Sequence, residues 1–343
     1  MTAKVRVGLI GYGMAGAVFH APLISAVDRL ELAMVATSRL KEAAKAGLRA
    51  TADPQALIAD PAIDLAVIAT PNDSHFPLAR AALLAGRHVV VDKPFVVTSG
   101  EADALIALSR EAGRLLSVFH NRRWDGDYLT VRELVGEGRL GDILLYQAHW
   151  DRFRPSIKQG WREVPAEGAG LLNDLGPHLI DQALQLFGLP EAVTGDVVAQ
   201  RRQAEVDDYF EVVLHYGAMR AILSASTMVA APRPRFAVHG SEGSFVKFGL
   251  DPQEAMLKSG KGPRIAGFGQ DDPGSYGTLT RADGTSERIP TLSGRYVDYY
   301  EAMADAILDG AAVPVDPVDA SAGLRIIELA RQSAREGRRL PLS

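Results

Sequence analysis

The chain has 343 residues, enough for about two domains at roughly 150 residues each, which excludes a small peptide module. Its 37 basic and 42 acidic residues give a formal charge of -5 with no basic stripe, which argues against nucleic acid as a partner. It has no cysteine, which excludes disulfides, thiolate metal sites, Fe–S clusters and a cysteine nucleophile. No apolar run reaches the roughly 20 residues of a membrane helix, and Met1 to Lys4 lead straight into a strand without a signal-peptide pattern, so a cytoplasmic protein with no membrane partner is expected.

The first third alternates β-branched runs with Ala/Leu-rich stretches. Strands are expected at residues 5–10, 32–37, 65–69, 88–91 and 115–118, and helices at 14–27, 41–46, 76–85 and 101–111. Apolar strands flanked by such helices predict an N-terminal Rossmann domain, a doubly wound parallel sheet. After His120-Asn121-Arg122-Arg123-Trp124 the rhythm changes, which divides the chain into domains 1–122 and 123–343. Beyond that point 131–135 reads as helical, 143–150 as a longer alternating strand and 175–187 as a helix. Strands joined by short turns are expected at 209–215, 221–227, 235–239 and 244–248, which makes the second part an α/β domain on an open, largely antiparallel sheet. Residues 259–277, rich in Gly, Pro and Asp, read as a long surface loop, either mobile or a lid. Helices follow at 296–309 and 319–336 with Pro314 and Pro317 between them, and these last helices can pack back on the first domain.

Gly11-Tyr12-Gly13-Met14-Ala15-Gly16 directly follows the first strand and opens the first helix. In that position the first Gly permits a tight turn, the second lets a pyrophosphate approach the backbone, and the third allows close helix–strand packing. Amides at the helix start then meet the phosphates. Where an NAD-binding unit places a carboxylate on the ribose, the second strand ends in Thr37-Ser38-Arg39. A guanidinium with two hydroxyls suits a 2′-phosphate, so NADP(H) is the expected cofactor. Thr70-Pro71-Asn72-Asp73-Ser74-His75 sits at the carboxyl end of the third strand, where Thr70, Pro71, Asn72 and His75 can meet the cofactor or simply form a helix-capping segment.

Val91-Asp92-Lys93-Pro94 closes the next strand on the same edge and leaves Asp92 and Lys93 at a tightly defined turn facing the expected nicotinamide. Downstream, Asn173-Asp174-Leu175-Gly176-Pro177-His178 carries Asp174 and His178 four apart, neighbours on one face of a helical turn that Pro177 suggests begins here. Carboxylate, imidazole and ammonium together suit a hydroxylated carbon whose proton is relayed while hydride leaves. Asp174 and His178 also fit an N-cap with a core histidine. No further ligands at metal spacing accompany them, so no metal is expected. Asn121 is a cofactor candidate and Arg122 a substrate candidate at the domain junction. Trp161 and Arg162 lie in a loop before Asp174 and either cover the nicotinamide or pack on the surface. His149, Asp151 and Arg154 read as an exposed sheet end.

With these residues in place the chain resembles the glucose-fructose oxidoreductase/inositol dehydrogenase/MocA (Gfo/Idh/MocA) family along nearly its whole length. Asp92-Lys93-Pro94 matches the family's Glu-Lys-Pro motif with a shorter carboxylate, and Asp174 and His178 match its Asp and His four apart. The resemblance implies that Lys93 holds and polarises a substrate hydroxyl, His178 exchanges its proton, and Asp174 orients both substrate and His. It also implies a C-terminal domain that binds substrate and joins copies into a homodimer or homotetramer. Residues 117–125, 150–155, 174–188 and 238–254 are similar to bacterial NADP-dependent scyllo-inositol dehydrogenases, which implies interconversion of scyllo-inositol and scyllo-inosose. Aldose or dihydrodiol dehydrogenases, NAD-dependent glycosidases and non-catalytic NADP-binding sensors are the family's other branches.

Overall fold

The computed structural model describes residues 4–157, 163–166 and 168–342. β1 (Val5–Ile10) runs through the glycine-rich turn into a π-helical turn, Ala15–His20, and then α1 (Ala21–Ala26). There follow β2 (Leu30–Ala36), α2 (Leu40–Lys45), β3 (Ala50–Thr51), α3 (Pro54–Ala59), β4 (Leu65–Ile68), α4 (His75–Leu84), β5 (His88–Asp92), α5 (Ser99–Glu111) and β6 (Leu116–Phe119). The six strands form one parallel sheet in the order β3-β2-β1-β4-β5-β6. Helices cover parallel strands on both faces, and accordingly all of Leu65-Ala66-Val67-Ile68 is buried and apolar. The strand order reverses between β1 and β4, the switch point where the carboxyl ends of such strands open a ligand crevice.

The rest of the chain forms α6 (Gly126–Gly136), β7 (Ile143–His149), α7 (Leu171–Phe187), β8 (Ala192–Val198), β9 (Tyr209–Tyr216), β10 (Met219–Ser226), β11 (Phe236–Gly240) and β12 (Gly243–Lys247). It ends with α8 (Gln253–Lys258), β13 (Gly277–Arg281), β14 (Ser286–Ile289), α9 (Val297–Asp309), α10 (Pro317–Glu336) and β15 (Leu340–Pro341). A nine-stranded sheet runs β14-β13-β12-β11-β7-β10-β9-β8-β15, antiparallel except where β7 and β10 lie parallel. On β9 Phe210, Val212 and Leu214 are buried while Tyr209, Glu211 and Val213 are half-exposed, the alternation of a sheet packed on one face.

Two compact units result. The first holds the chain up to Trp124 together with Pro252–Gly269 and Arg295–Ser321, and the second holds Asp125–Asp251, Gln270–Gly294 and the chain from Ala322 onward. Thus α8, α9 and the first turn of α10 belong to the first unit, where α9 lies against α1. Some expected elements differ. The helix expected at 14–27 is a π turn followed by a short α-helix, and the expected loop at 259–277 lies between α8 and β13 with one short 3₁₀ turn, Pro273–Ser275, within it. Among the described residues no helix is long and apolar enough to cross a membrane.

Candidate active site

In the first unit, the turn after β1 explains its own glycines. Gly11 has φ 100°, its N–H reaches the Ala36 carbonyl at 2.8 Å, and a Cβ there would run into the Ala69 carbonyl. A Cβ on Gly16 would run into the Gly11 carbonyl. Around Gly13, by contrast, a Cβ would meet nothing within 4 Å. That open approach to the backbone fits a pyrophosphate, flanked by Tyr12, exposed Met14 and Ala15. β2 leads into Thr37, whose hydroxyl accepts the Arg39 N–H at 3.0 Å, and exposed Ser38 and Arg39 follow with no carboxylate on the strand end. The Arg39 Nε lies 3.7 Å from Glu42, an exposed pair of little energy that leaves the guanidinium available to a 2′-phosphate.

At the end of β4 the Ser74 hydroxyl donates to the Pro71 carbonyl at 2.6 Å and also lies 2.7 Å from the Thr70 hydroxyl. Asn72 is buried. His75 opens α4 and is almost wholly buried, with Nδ1 2.9 Å from the Pro94 carbonyl and Nε2 3.0 Å from the Thr70 carbonyl. Carbonyls only accept, so the ring satisfies both when both nitrogens carry protons. His75 therefore ties the Thr70 turn to the Lys93-Pro94 turn, whose peptide bond is cis. Asp92 ends β5, and its Oδ1 accepts the Lys93 N–H at 2.8 Å while Oδ2 lies 3.7 Å from His20 Nε2. Burial works to raise the Asp92 pKa, but His20, Lys93 and His75 overcome it and hold the carboxyl below its usual range.

Beyond β6, Asn121 and Arg122 are buried in a short 3₁₀ turn. The Arg122 guanidinium is engaged by the Tyr296 hydroxyl at 2.6 Å and by Glu254, partners that hold the first unit together. Burial would raise the Glu254 pKa, but Arg122 and Lys258 bring it down to about 2.

In the second unit, α7 begins at Leu171, before the point suggested by Pro177, which stands inside the helix. The reason is a cap from a distant residue. Asp207 accepts the Leu171 N–H through its carbonyl at 2.8 Å and the Leu172 N–H through its carboxylate at 2.7 Å, and Arg331 pairs with that carboxylate at 2.9 Å. Gly170, with φ 92°, leaves room for the Asp207 carboxylate that a Cβ would strike. Asp174 thus lies in the first turn and His178 one turn further on, the four-residue spacing that puts both on one face.

Two residues around this pair are absent from the sequence expectation. The Trp150 ring stacks on His178, with centroids 5.8 Å apart and planes at 26°, and the guanidinium carbons of Arg152 and Arg235 lie 5.9 and 5.3 Å from the Trp150 ring centroid. Arg152 also brings Nη1 to 3.8 Å from Asp174 Oδ2. A tryptophan followed two residues later by an arginine just beyond β7 is the signal for both, since period-two alternation points them the same way. Of the neighbours read as a sheet end, His149 is buried with Nδ1 2.8 Å from the Pro234 carbonyl, Asp151 pairs twice with Arg233 at 2.6 and 2.7 Å, and Arg154 is exposed. Trp161 and Arg162 lie outside the described residues.

A pyrophosphate turn with a lysine at the end of another strand of the same sheet, and an imidazole beside a carboxylate on one helix face, are the parts of a nicotinamide-dependent oxidoreductase. The chain belongs to the Gfo/Idh/MocA oxidoreductase family. The profile described as "Oxidoreductase family, NAD-binding Rossmann fold" matches residues 5–120, and "Oxidoreductase family, C-terminal alpha/beta domain" matches residues 132–342. The chain is 42% identical to the scyllo-inositol 2-dehydrogenase (NADP(+)) IolW of Bacillus subtilis, over 98% of this chain and 96% of that protein. It is 47% identical to the uncharacterized oxidoreductase YdgJ of Escherichia coli, over 98% of each. The solved structure of the oxidoreductase YvaA from Bacillus subtilis superposes with a TM-score of 0.97 at 41% identity, covering 100% of this chain and 99% of that one.

Proposed function

We propose that the chain is a cytoplasmic NADP(H)-dependent dehydrogenase that interconverts a cyclic polyol and its ketone, with scyllo-inositol and scyllo-inosose as the first substrates to try. The observation that carries this reading is the Asp174–His178 pair on α7, stacked on Trp150 and flanked by Arg152, in a chain that also presents Lys93 at the end of β5. The scyllo-inositol 2-dehydrogenase activity of IolW supports the choice of polyol, and the absence of a carboxylate at Thr37-Ser38-Arg39 supports the phosphorylated cofactor. The backbone about Gly11 and Gly13 would hold the pyrophosphate, and Ser38 and Arg39 the 2′-phosphate. When bound, a nicotinamide cofactor supplies the hydride chemistry. His178 takes the hydroxyl proton in the oxidising direction, and Asp174 orients His178 and a neighbouring hydroxyl. Lys93 stabilises the oxygen as negative charge develops on it. The family resemblance extends the proposal to a homodimer or homotetramer.

The test is a spectrophotometric screen of cofactor reduction across inositol isomers, aldoses and diols, run with NADP and NAD in parallel. The expected result is preference for scyllo-inositol and a kcat/KM at least about tenfold higher with NADP, a difference of ~1.4 kcal/mol. Indifference among the isomers removes the inositol assignment, a preference for an aldose or diol redirects it, and equal use of the two cofactors removes the role given to Arg39.

A further inference from the structure

Two buried side chains that the proposed reaction leaves without a task, His20 and Tyr300, converge on Asp92 within the first unit. His20 is fully buried at the end of the π turn that follows the glycine-rich segment, with its ring centroid 4.4 Å from that of Phe119. Its Nδ1 lies 2.6 Å from the Tyr300 hydroxyl. Burial, with Tyr299 and Asp92 close by, pushes the Tyr300 phenol well above its usual range, so the hydroxyl keeps a proton that it can donate to Nδ1. With the Tyr300 hydroxyl donating, Nε2 is the ring nitrogen that carries a proton, and it faces Asp92 Oδ2 at 3.7 Å. The other carboxylate oxygen accepts the backbone N–H of Lys93.

Tyr299, from the same helix as Tyr300, gives its hydroxyl proton to Ser117 at 2.9 Å, and Ser117 passes its own to the Val315 carbonyl at 2.9 Å. His75 is engaged by the Pro94 and Thr70 carbonyls, and Lys93 adds its charge from the adjacent position. Of the two histidines here, His75 is held by backbone carbonyls, whereas His20 is held by the Tyr300 hydroxyl and turns its Nε2 toward the carboxylate.

We propose that His20, oriented by Tyr300, is a positioning residue for Lys93: its Nε2–H holds Asp92 ionised and turned so that the other carboxylate oxygen fixes the Lys93 backbone. A buried carboxylate with one oxygen facing no donor takes up a proton more readily and becomes a weaker acceptor for the Lys93 N–H. Because His20 lies on the helical segment opened by Gly11-Tyr12-Gly13-Met14-Ala15-Gly16, it also ties the phosphate turn to the Lys93 turn through one side chain. This inference rests on the catalytic role proposed for Lys93, and its first test does not.

That test follows the carboxyl carbons of the full-length protein by 13C NMR as pH is lowered, with the Asp92 signal identified by its loss in D92N. In H20L the Asp92 titration is expected to move upward from its depressed position, in H20Q to return most of the way to wild type, and in Y300F to move upward by less than in H20L. A titration unmoved in H20L and Y300F overturns the proposal. The second readout is turnover with the best polyol. H20L is expected to lower kcat by about tenfold to a hundredfold with KM within about threefold, as misplacement of a reacting group does. A raised KM with unchanged kcat also overturns it. Should H20L fail to fold, Y300F, which loses a single oxygen atom, decides alone through the Asp92 titration. If the wild type oxidises no polyol, the proposed function fails while the Asp92 titration still judges His20.

Discussion

Lys93 and the pair Asp174 and His178 are held by different means. Lys93 stands at the end of a strand buried on both faces, and its turn is shaped by its own neighbours: Asp92 on the N–H, and His75 on the Pro94 carbonyl from 19 positions away. The helix bearing Asp174 and His178 is started by Asp207, 35 positions on from Leu172, and His178 is faced by a tryptophan from beyond another strand. The first arrangement starts from backbone geometry and near neighbours, with His20 reaching Asp92 from farther off, and the second rests on side chains that meet only after the sheet has formed. Substitution beside Lys93 should therefore act on chemistry with little loss of fold, and substitution around α7 should act on both.

The largest effect is expected at the ammonium itself. K93M keeps the length and apolar stem of the side chain and removes the charge, so kcat with the best polyol should fall by about a thousandfold, the order of a positioned electrostatic group. Dissociation of NADPH, followed by its fluorescence, should change by less than about threefold. Turnover within about tenfold of wild type, ~1.4 kcal/mol, takes the catalytic role away from Lys93. A matching H178N loss of about a hundredfold or more, accompanied by unchanged stability, would show that the second arrangement is sturdier than its distant contacts imply.

The same difference explains what could be read from the sequence. The parallel strands were legible because helices cover both their faces and leave uninterrupted apolar runs, as in Leu65-Ala66-Val67-Ile68. The glycine turn was legible because Gly11 and Gly16 answer local steric demands and Gly13 leaves the backbone open. In the second sheet β8 carries Gly195, whose missing Cβ leaves room for the Ala330 carbonyl, and β14 is the short polar run Ser286-Glu287-Arg288-Ile289, so neither has a strand's usual pattern. The start of α7 was hidden for another reason. Its cap is supplied by Asp207 and the residue before Leu171 is a glycine, so Asp174 and Pro177 were the local signals and both placed the start too late. Asp174 and His178 could be paired from their spacing, whereas the sequence gives no sign that Trp150 and Arg152, from beyond β7, meet that pair in the folded chain.

A tie in the first unit limits the contrast. Arg122 reaches Glu254 across 132 positions, so this unit too has a bond that only the folded chain can make. The folded carboxyl has a pKa of about 2 against an ordinary 4.5, a depressed value, so its contribution is fully present above about pH 4.5 and is lost as pH falls toward 2. Because Glu254 keeps a quarter of its side-chain surface exposed, solvent reduces the worth of the pair to about 2 kcal/mol. E254Q should lose that amount to denaturant at pH 7, and the gap from wild type should close as pH drops below 4.5. A gap that is the same at pH 7 and pH 3 would assign the loss to packing instead of charge.

The smallest expected effect bears most directly on how α7 is held. D207A removes the carboxylate that takes the Leu172 N–H and pairs with Arg331, and leaves the backbone carbonyl that takes the Leu171 N–H. Loss of a helix cap costs about 1 kcal/mol, which corresponds to about fivefold faster amide exchange in the first turn of α7 if that turn opens locally. Asp174 belongs to this turn and His178 to the next, so kcat should drop a few-fold while NADPH binding stays as it was. Faster exchange confined to Leu172 and its neighbours would establish that the distant carboxylate governs this turn alone. Faster exchange spread through both units would mean that Asp207 supports the fold generally, and the distinction between a locally built lysine and a remotely held histidine would then lose its physical basis.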